Sequence, residues 1–280
     1  MESLNIPVRT RDGLQLHLQH WQALPSRGSV LIVHGLGEHI GRYEHVALAL
    51  NRAGWRVAGH DQRGHGRSPG ARGALATPDS LLADLALVID RVRASHPGPL
   101  LLLGHSMGGV VAARFVAEAL SPSPAAWSRP VDGLVLSSPA LDSGIGALQK
   151  MMLDRLGSWL PNVALGNGLK PEWVSRDPAV VRAYIDDPLN HDRITFRLAR
   201  FIVGGGALAL QRATAWRTPT LLLWAGADRC VAPAGSAAFA AAAPADVLTA
   251  QRFPALFHEI FNEPERAEVL AVLTGWLARF

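Results

Sequence analysis

Four consecutive leucines, Leu100 to Leu103, run straight into Gly104-His105-Ser106-Met107-Gly108-Gly109. A short, continuous apolar run stopped by glycine suits a strand buried on both faces, as in a parallel sheet packed between helices. The residues that follow, Gly109–Leu120, carry apolar side chains at helical spacing. Strand, tight turn and helix therefore succeed one another with no spare residues. Gly-x-Ser-x-Gly at such a junction is the sequence form of a nucleophile elbow, where a sharp turn strains the serine backbone and exposes its hydroxyl. The glycines are steric requirements, because strand and helix meet where a side chain would collide. The bare pattern occurs by chance in many chains, so the flanking strand and helix give it weight.

The same rhythm runs along most of the chain. Ser29–His34, Trp55–Asp61, Pro99–Gly104, Val131–Ser137, Pro219–Ala225 and Asp246–Phe253 read as buried strands. Helical patterns fill the gaps near 42–53, 79–95, 107–120, 233–243 and 264–279. Residues 6–12 and 14–22 read as an opening hairpin around Asp12-Gly13. Strands alternating with helices predict an α/β fold with a central, mostly parallel sheet of about eight strands. The rhythm breaks between about 140 and 215, too long for one crossover. That segment holds Pro161, Pro171, Pro178, Pro188 and the run Gly204-Gly205-Gly206. It reads as a helical cap inserted into one domain spanning 1–280.

Composition excludes several function classes. The 27 Lys and Arg against 23 Asp and Glu leave a net charge of only +4, with no basic run, so a nucleic-acid partner is not expected. Cys230 is the single cysteine and excludes an intrachain disulfide. Met1–Pro7 has no basic stretch followed by an apolar one, so no leader is visible. No apolar run approaches the ~18 residues of a membrane span. The expectation is a cytoplasmic protein, with peripheral contact at membranes left open. No His/Cys/Asp cluster has ligand spacing, so neither metal nor cofactor is expected. The oligomeric state is not legible.

A serine hydroxyl at neutral pH needs a base, and the base needs a carboxylate to orient it. In this architecture the chain order is serine, acid, histidine. Asp228 follows the strand ending at Ala225-Gly226, and His258 follows the next strand. Both fall where strand C-termini assemble sites. Asp61, His34, His39, His60, His65, His96 and His105 precede Ser106, and His191 falls in the cap. Cys230 reads as a small packing residue. A tetrahedral intermediate needs fixed N–H donors for its oxyanion. Met107 supplies one by following the nucleophile, and Leu36, in His34-Gly35-Leu36-Gly37, is assigned the other.

With these residues in view, the chain resembles a monoacylglycerol lipase in the lysophospholipase-like branch of the α/β-hydrolases. The matching stretches are His34–His39 with Gly41–Glu44, Asp61–Ser68, Gly104–Gly109, Ser137–Ala140, Asp187–Leu189, Gly226–Arg229 and His258–Glu263. They span nearly the whole chain in family order. The resemblance implies hydrolysis of carboxylic esters with one acyl chain, foremost monoacylglycerols, with an apolar tunnel for the chain. It also implies a polar alcohol pocket at Glu38, Arg42, His105 and Tyr184. Phe261 departs from relatives that carry a second histidine there, which implies a more apolar pocket. The alternatives are a lysophospholipase or a broad carboxylesterase with the same chemistry, or a non-catalytic binding protein on the same fold.

Two further readings come from the residues themselves. Asp61 and Arg63 are expected to brace a loop. In the cap, Ile145, Leu148, Met152, Leu156, Trp159 and Leu160 recur at helical spacing. They suit a helix packed over the site, or a lid touching membrane or micelles.

Overall fold

The computed structural model describes residues 4–5 and 7–280. Met1–Ser3 and Ile6, where part of the leader reading and the first residue of the expected hairpin fall, lie outside the described residues.

Among the described residues the central sheet has eight strands: β1 (Leu4–Asn5), β2 (Leu18–Trp21), β3 (Gly28–Val33), β4 (Trp55–His60), β5 (Leu100–His105), β6 (Gly133–Ser137), β7 (Thr220–Ala225) and β8 (Leu248–Phe253). Their order across the sheet is β1-β2-β4-β3-β5-β6-β7-β8. From β4 to β8 every pairing is parallel, while β2 runs antiparallel to both neighbours. The ranges of β3 to β8 agree with the sequence reading to within two residues at each end, whereas the stretch read as 14–22 places only Leu18–Trp21 in the main sheet.

The leucine runs now have a cause. Leu100 and Leu102 face one core, with Leu134, Leu136 and Leu222; Leu101 and Leu103 face the other, with Val135, Leu221 and Leu223. Helices cover both faces, so period-two alternation leaves no solvent side. On the first face lie α2 (Ser80–Ser95), α3 (Met107–Glu118) and α7 (Pro233–Ala242); on the second lie α1 (Glu44–Arg52) and α8 (Arg266–Leu277). Each leucine so buried contributes about 1.5–3 kcal/mol of transfer free energy.

The opening hairpin is shorter than its pattern suggests. Among the described residues only Val8–Arg9 and Gln15–Leu16 pair, around a turn with Gly13 at φ 90°. The ladder stops at His17, whose N–H donates to Ser68 Oγ at 2.9 Å and whose carbonyl accepts the Asp61 N–H at 2.9 Å. Those bonds turn the chain into the main sheet, where β2 pairs with β4 and β1.

Between β6 and β7 the chain forms α4 (Ala147–Trp159), a short ladder of Ala164–Gly166 with Arg193–Thr195, α5 (Pro178–Asp186) and α6 (Phe196–Arg212). The last helix is more than a cover. Leu198, Ile202 and Ala209 of α6 join the core beside α3. Gly205 and Gly206 allow that approach: a Cβ on Gly205 would lie 2.7 Å from Val110 Cγ1, and one on Gly206 would lie 2.5 Å from the Leu141 carbonyl oxygen. A Cβ on Gly204 would meet nothing within 4 Å.

Candidate active site

Ser106 sits between β5 and α3 at φ 53°, ψ −119°, a backbone state that costs a non-glycine residue about 1–3 kcal/mol. The surroundings enforce it. The Ser106 N–H donates to Ser137 O at 3.0 Å, and its carbonyl accepts from Val110 and Ala140 N–H at 3.2 and 3.1 Å. Gly108 is obligatory, because a Cβ there would strike the carbonyl oxygens of Val33 and His34. At Gly109 a Cβ would lie 2.7 Å from Pro139 Cβ. Ser138, at the end of the neighbouring strand, is the other described non-glycine residue with positive φ, at 39°.

His258 and Asp228 are joined, Nδ1 to Oδ2, at 2.7 Å. The other carboxylate oxygen accepts the backbone N–H groups of Cys230 and Val231 at 2.8 and 3.1 Å. Burial alone would raise the Asp228 pKa, but the facing His258 charge and these hydrogen bonds bring it below the usual range. For His258 burial disfavours the imidazolium, yet Asp228 outweighs it, helped by Glu259 and Glu38, so its pKa rises. Ser106 and His258 line one cavity, though no hydrogen bond joins hydroxyl and imidazole in this resting arrangement. Such bonds commonly tighten only with substrate present.

The N–H groups of Leu36 and Met107 have no hydrogen-bond acceptor among the described residues, and both residues border the cavity at Ser106. The loop offering Leu36 is fixed by its neighbours. Glu38 Oε1 accepts the Gly35 N–H at 2.5 Å. Fully buried His34 accepts the Gln62 N–H at Nε2, so its Nδ1 carries the proton and donates to Gly35 O at 2.8 Å.

The four residues expected around an alcohol fall into two groups. His105 and Tyr184 line the cavity. His105 Nδ1 lies 3.1 Å from Ser137 Oγ, and burial, then the His258 charge, lower its pKa to about 4, so it stays neutral. Glu38 also borders the cavity but is saturated: besides Gly35 it accepts Tyr43 OH at 2.7 Å and Arg42 at 2.8 Å. Arg42 lies behind the wall, clamped in two-point fashion by Glu259 at 2.6 and 2.7 Å, with the Tyr184 ring 4.8 Å from its guanidinium carbon. Phe261 does not border the cavity; it packs into the core with Ile260, so it does not make the pocket apolar. Arg63 and Asp61 do brace loops. Arg63 pairs with Asp84 and Asp12, and Asp61 accepts the N–H groups of Ile40 and Arg67.

Glu259, which adjoins His258, is a residue of this site that the sequence did not single out. Its partner is 217 residues away, and no local pattern announces such a pair. Cys230 Sγ, an Asp228 oxygen and a His258 nitrogen lie within 4.8 Å of one another. Two of these three are already bonded to each other, and the thiol pKa is raised, chiefly by burial.

Two cavities meet at Ser106. One, of about 250 Å³, sets the polar groups of Glu38, His105, Tyr184, Asn190 and Glu259 among apolar Leu169, Val174 and Ile185. The other, of about 240 Å³, is lined by Met107, Ile145, Leu153, Ile202 and Val231.

A family model described as serine aminopeptidase, S33, matches residues 25–265. The monoacylglycerol lipase of Mycolicibacterium smegmatis is 36% identical over 255 residues, covering 90% of this chain and 88% of its own. A crystal structure of Paleococcus ferrophilus monoacylglycerol lipase superposes with a TM-score of 0.81 at 34% identity, covering 99% of this chain and 98% of the other. A monoglyceride lipase variant from Saccharomyces cerevisiae shares the fold, with a TM-score of 0.83 at 21% identity, covering 99% and 94%.

Proposed function

We propose, proceeding from the fact that this chain belongs to the serine aminopeptidase S33 family and is a serine ester hydrolase of the α/β-hydrolase fold, that its substrates are monoacylglycerols. The observation that carries the reading is the meeting of an apolar slot and a polar-edged cavity at Ser106. A single acyl chain fits the slot, and a small polyol fits the other side. The names of two relatives, monoacylglycerol lipases at 36% and 34% identity, support the same class.

In this reading Ser106 is the nucleophile. His258 takes its proton as the hydroxyl adds to the ester carbonyl, and Asp228 holds the imidazole with Nδ1 protonated. The N–H groups of Leu36 and Met107 receive the oxyanion. Collapse expels the alcohol, which takes the proton back from His258. Water, deprotonated by the same base, then releases the fatty acid. Of the alcohol-pocket residues, His105 and Tyr184 meet the polyol, while Glu38 and Arg42 hold the wall.

The family's description names an aminopeptidase, which needs a free carboxylate to hold an α-ammonium group. The oxygens of Glu38 and Glu259 are already taken up by Gly35, Tyr43, Arg42 and Asn262, and Asp187 accepts from His39 at 2.8 Å, so none of these three is free for an ammonium group.

We assign one domain over 1–280, with residues 140–215 as the cap. No helix among the described residues is long and apolar enough to cross a membrane. The cap nevertheless exposes Leu148 at 65% and Trp159 at 87%, beside Met151 and Met152. A face of that kind suits transient contact with the lipid surface where monoacylglycerols reside. A cytoplasmic enzyme working at that surface completes the reading.

The test is a fluorophosphonate probe followed by a matched panel of monoacylglycerol, diacylglycerol, lysophospholipid and ethyl esters of one fatty acid. Labelling at Ser106 and preference for the monoacylglycerol are expected. Labelling without preference leaves a broad carboxylesterase, and no labelling leaves a binding protein.

A further inference from the structure

The loop offering the Leu36 N–H follows β3, and the loop carrying His258 follows β8. In the sheet these strands are four places apart, β3-β5-β6-β7-β8. At about 4.8 Å per step that is roughly 19 Å of sheet between them. Base and oxyanion donor must nevertheless act on one ester group, so the two loops have to converge above the sheet and be held there. No strand pairing does this.

One chain of buried polar contacts spans the gap. Glu38 Oε1 receives the Gly35 N–H, directly before Leu36, at 2.5 Å. Glu38 Oε2 receives Arg42 Nη1 at 2.8 Å. The same guanidinium grips both oxygens of Glu259, directly after His258, at 2.6 and 2.7 Å. Asn262 donates to Glu259 Oε2 at 2.9 Å, and the Glu259 N–H donates to Val174 O at 2.8 Å, anchoring the far end. The three charged side chains are only 5 to 11% exposed. Two-point guanidinium–carboxylate contacts fix distance and angle together, which a single contact does not. A Cβ on Gly35 would lie 3.2 Å from Ser106 Cβ, so the held peptide borders the nucleophile itself.

We infer that Glu38, Arg42 and Glu259 form a positioning unit that sets the separation between the oxyanion loop and the base loop, and that Glu259 belongs to the machinery of this enzyme. The inference rests on the assignment of Ser106 and His258 proposed above, and applies to every ester the enzyme cleaves. It separates from an alcohol-binding role on one point. A residue that binds alcohol matters only for substrates whose alcohol carries hydroxyls. A residue that positions the two loops matters for all acyl groups, including a phosphonyl probe with no polyol. The unit also leaves one net negative charge beside His258, which favours the imidazolium.

The experiment uses Glu259→Gln, nearly isosteric, and Arg42→Lys, which keeps charge but loses the fork. Steady-state kinetics are run on monoacylglycerol and on the matched ethyl ester, with Ser106 phosphonylation rates, a pH profile and melting temperatures. For both variants we expect kcat to fall about 10- to 100-fold for the two substrates alike, since misplacement of about 1 Å costs that much. KM should change less than threefold, and phosphonylation should slow in proportion to kcat. In Glu259→Gln the acid limb of kcat/KM should move to lower pH, because a negative charge near His258 is gone. A loss confined to the glyceride would return these residues to the alcohol pocket and overturn the inference. So would a lowered melting temperature with kcat unchanged in the folded range. Failure of the wild type to phosphonylate at Ser106 would instead remove the underlying assignment.

Discussion

Asp228→Asn is the most informative single change, because the contacts fix how the amide must sit. Asp228 Oδ1 accepts two backbone N–H groups, from Cys230 and Val231. Only the carbonyl oxygen of asparagine can occupy that place, since an NH₂ group would face two donors. The amide nitrogen is then forced toward His258 Nδ1, where the carboxylate oxygen now stands at 2.7 Å. Facing a donor, Nδ1 must become an acceptor, so the neutral ring carries its proton on Nε2. In that tautomer the imidazole cannot take the Ser106 proton. Loss of the productive tautomer and of the carboxylate charge should lower kcat by about 10³- to 10⁴-fold, or about 4–5.5 kcal/mol of barrier. Stability should change little, since both N–H contacts and a bond to Nδ1 survive. The assay is kcat and KM on a fluorogenic ester, with the melting temperature measured on the same sample. A folded variant within tenfold of wild-type kcat would refute the argument and show another carboxylate serving His258.

Ser106→Ala should abolish hydrolysis, by 10³-fold or more in kcat on the order seen for lost nucleophiles, while the circular-dichroism spectrum persists. The free enzyme needs neutral His258, and its pKa is raised above 6.5, so kcat/KM should climb with pH through a midpoint above 6.5 and then level. A profile flat from about pH 5 to 9 would count against a histidine base. Monoacylglycerol should exceed the matched ethyl ester in kcat/KM, and Tyr184→Phe should narrow the gap by about 1–3 kcal/mol, chiefly by impairing the glyceride. Trp159→Ser with Leu148→Ser should weaken sedimentation with liposomes and leave turnover of a water-soluble ester unchanged; equal sedimentation would dismiss the cap face as a docking surface.

What the sequence reveals about this molecule depends on the range of the interaction. The strands were legible because each leucine run needs only its own neighbours to be recognised as buried on both faces. The elbow was legible because Gly104, Ser106 and Gly108 fall within five residues and are sterically coupled. The order of Asp228 and His258 followed from strand ends. The division of labour among the polar residues was not legible. Arg42 and Tyr184 look alike as polar candidates until Glu259 is seen to hold the guanidinium from 217 residues away. The short opening hairpin escaped for the same reason, since Ser68 ends its ladder from 51 residues away. The dual role of α6, cover on one side and core on the other, depends on contact with α3 that its glycine run conceals.

That glycine run has a consequence for how the protein tolerates heat. Each glycine inside a helix forgoes about 1 kcal/mol of helical preference relative to alanine. For Gly205 and Gly206 the loss is irrecoverable, because a methyl group would push into Val110 or the Leu141 carbonyl. Gly204 faces open space, so its weakness serves no packing need. Adaptation to a hotter habitat therefore has one free position in this glycine run and two forbidden ones. Chains of this kind should harden at 204 first, and leave the other two as they are.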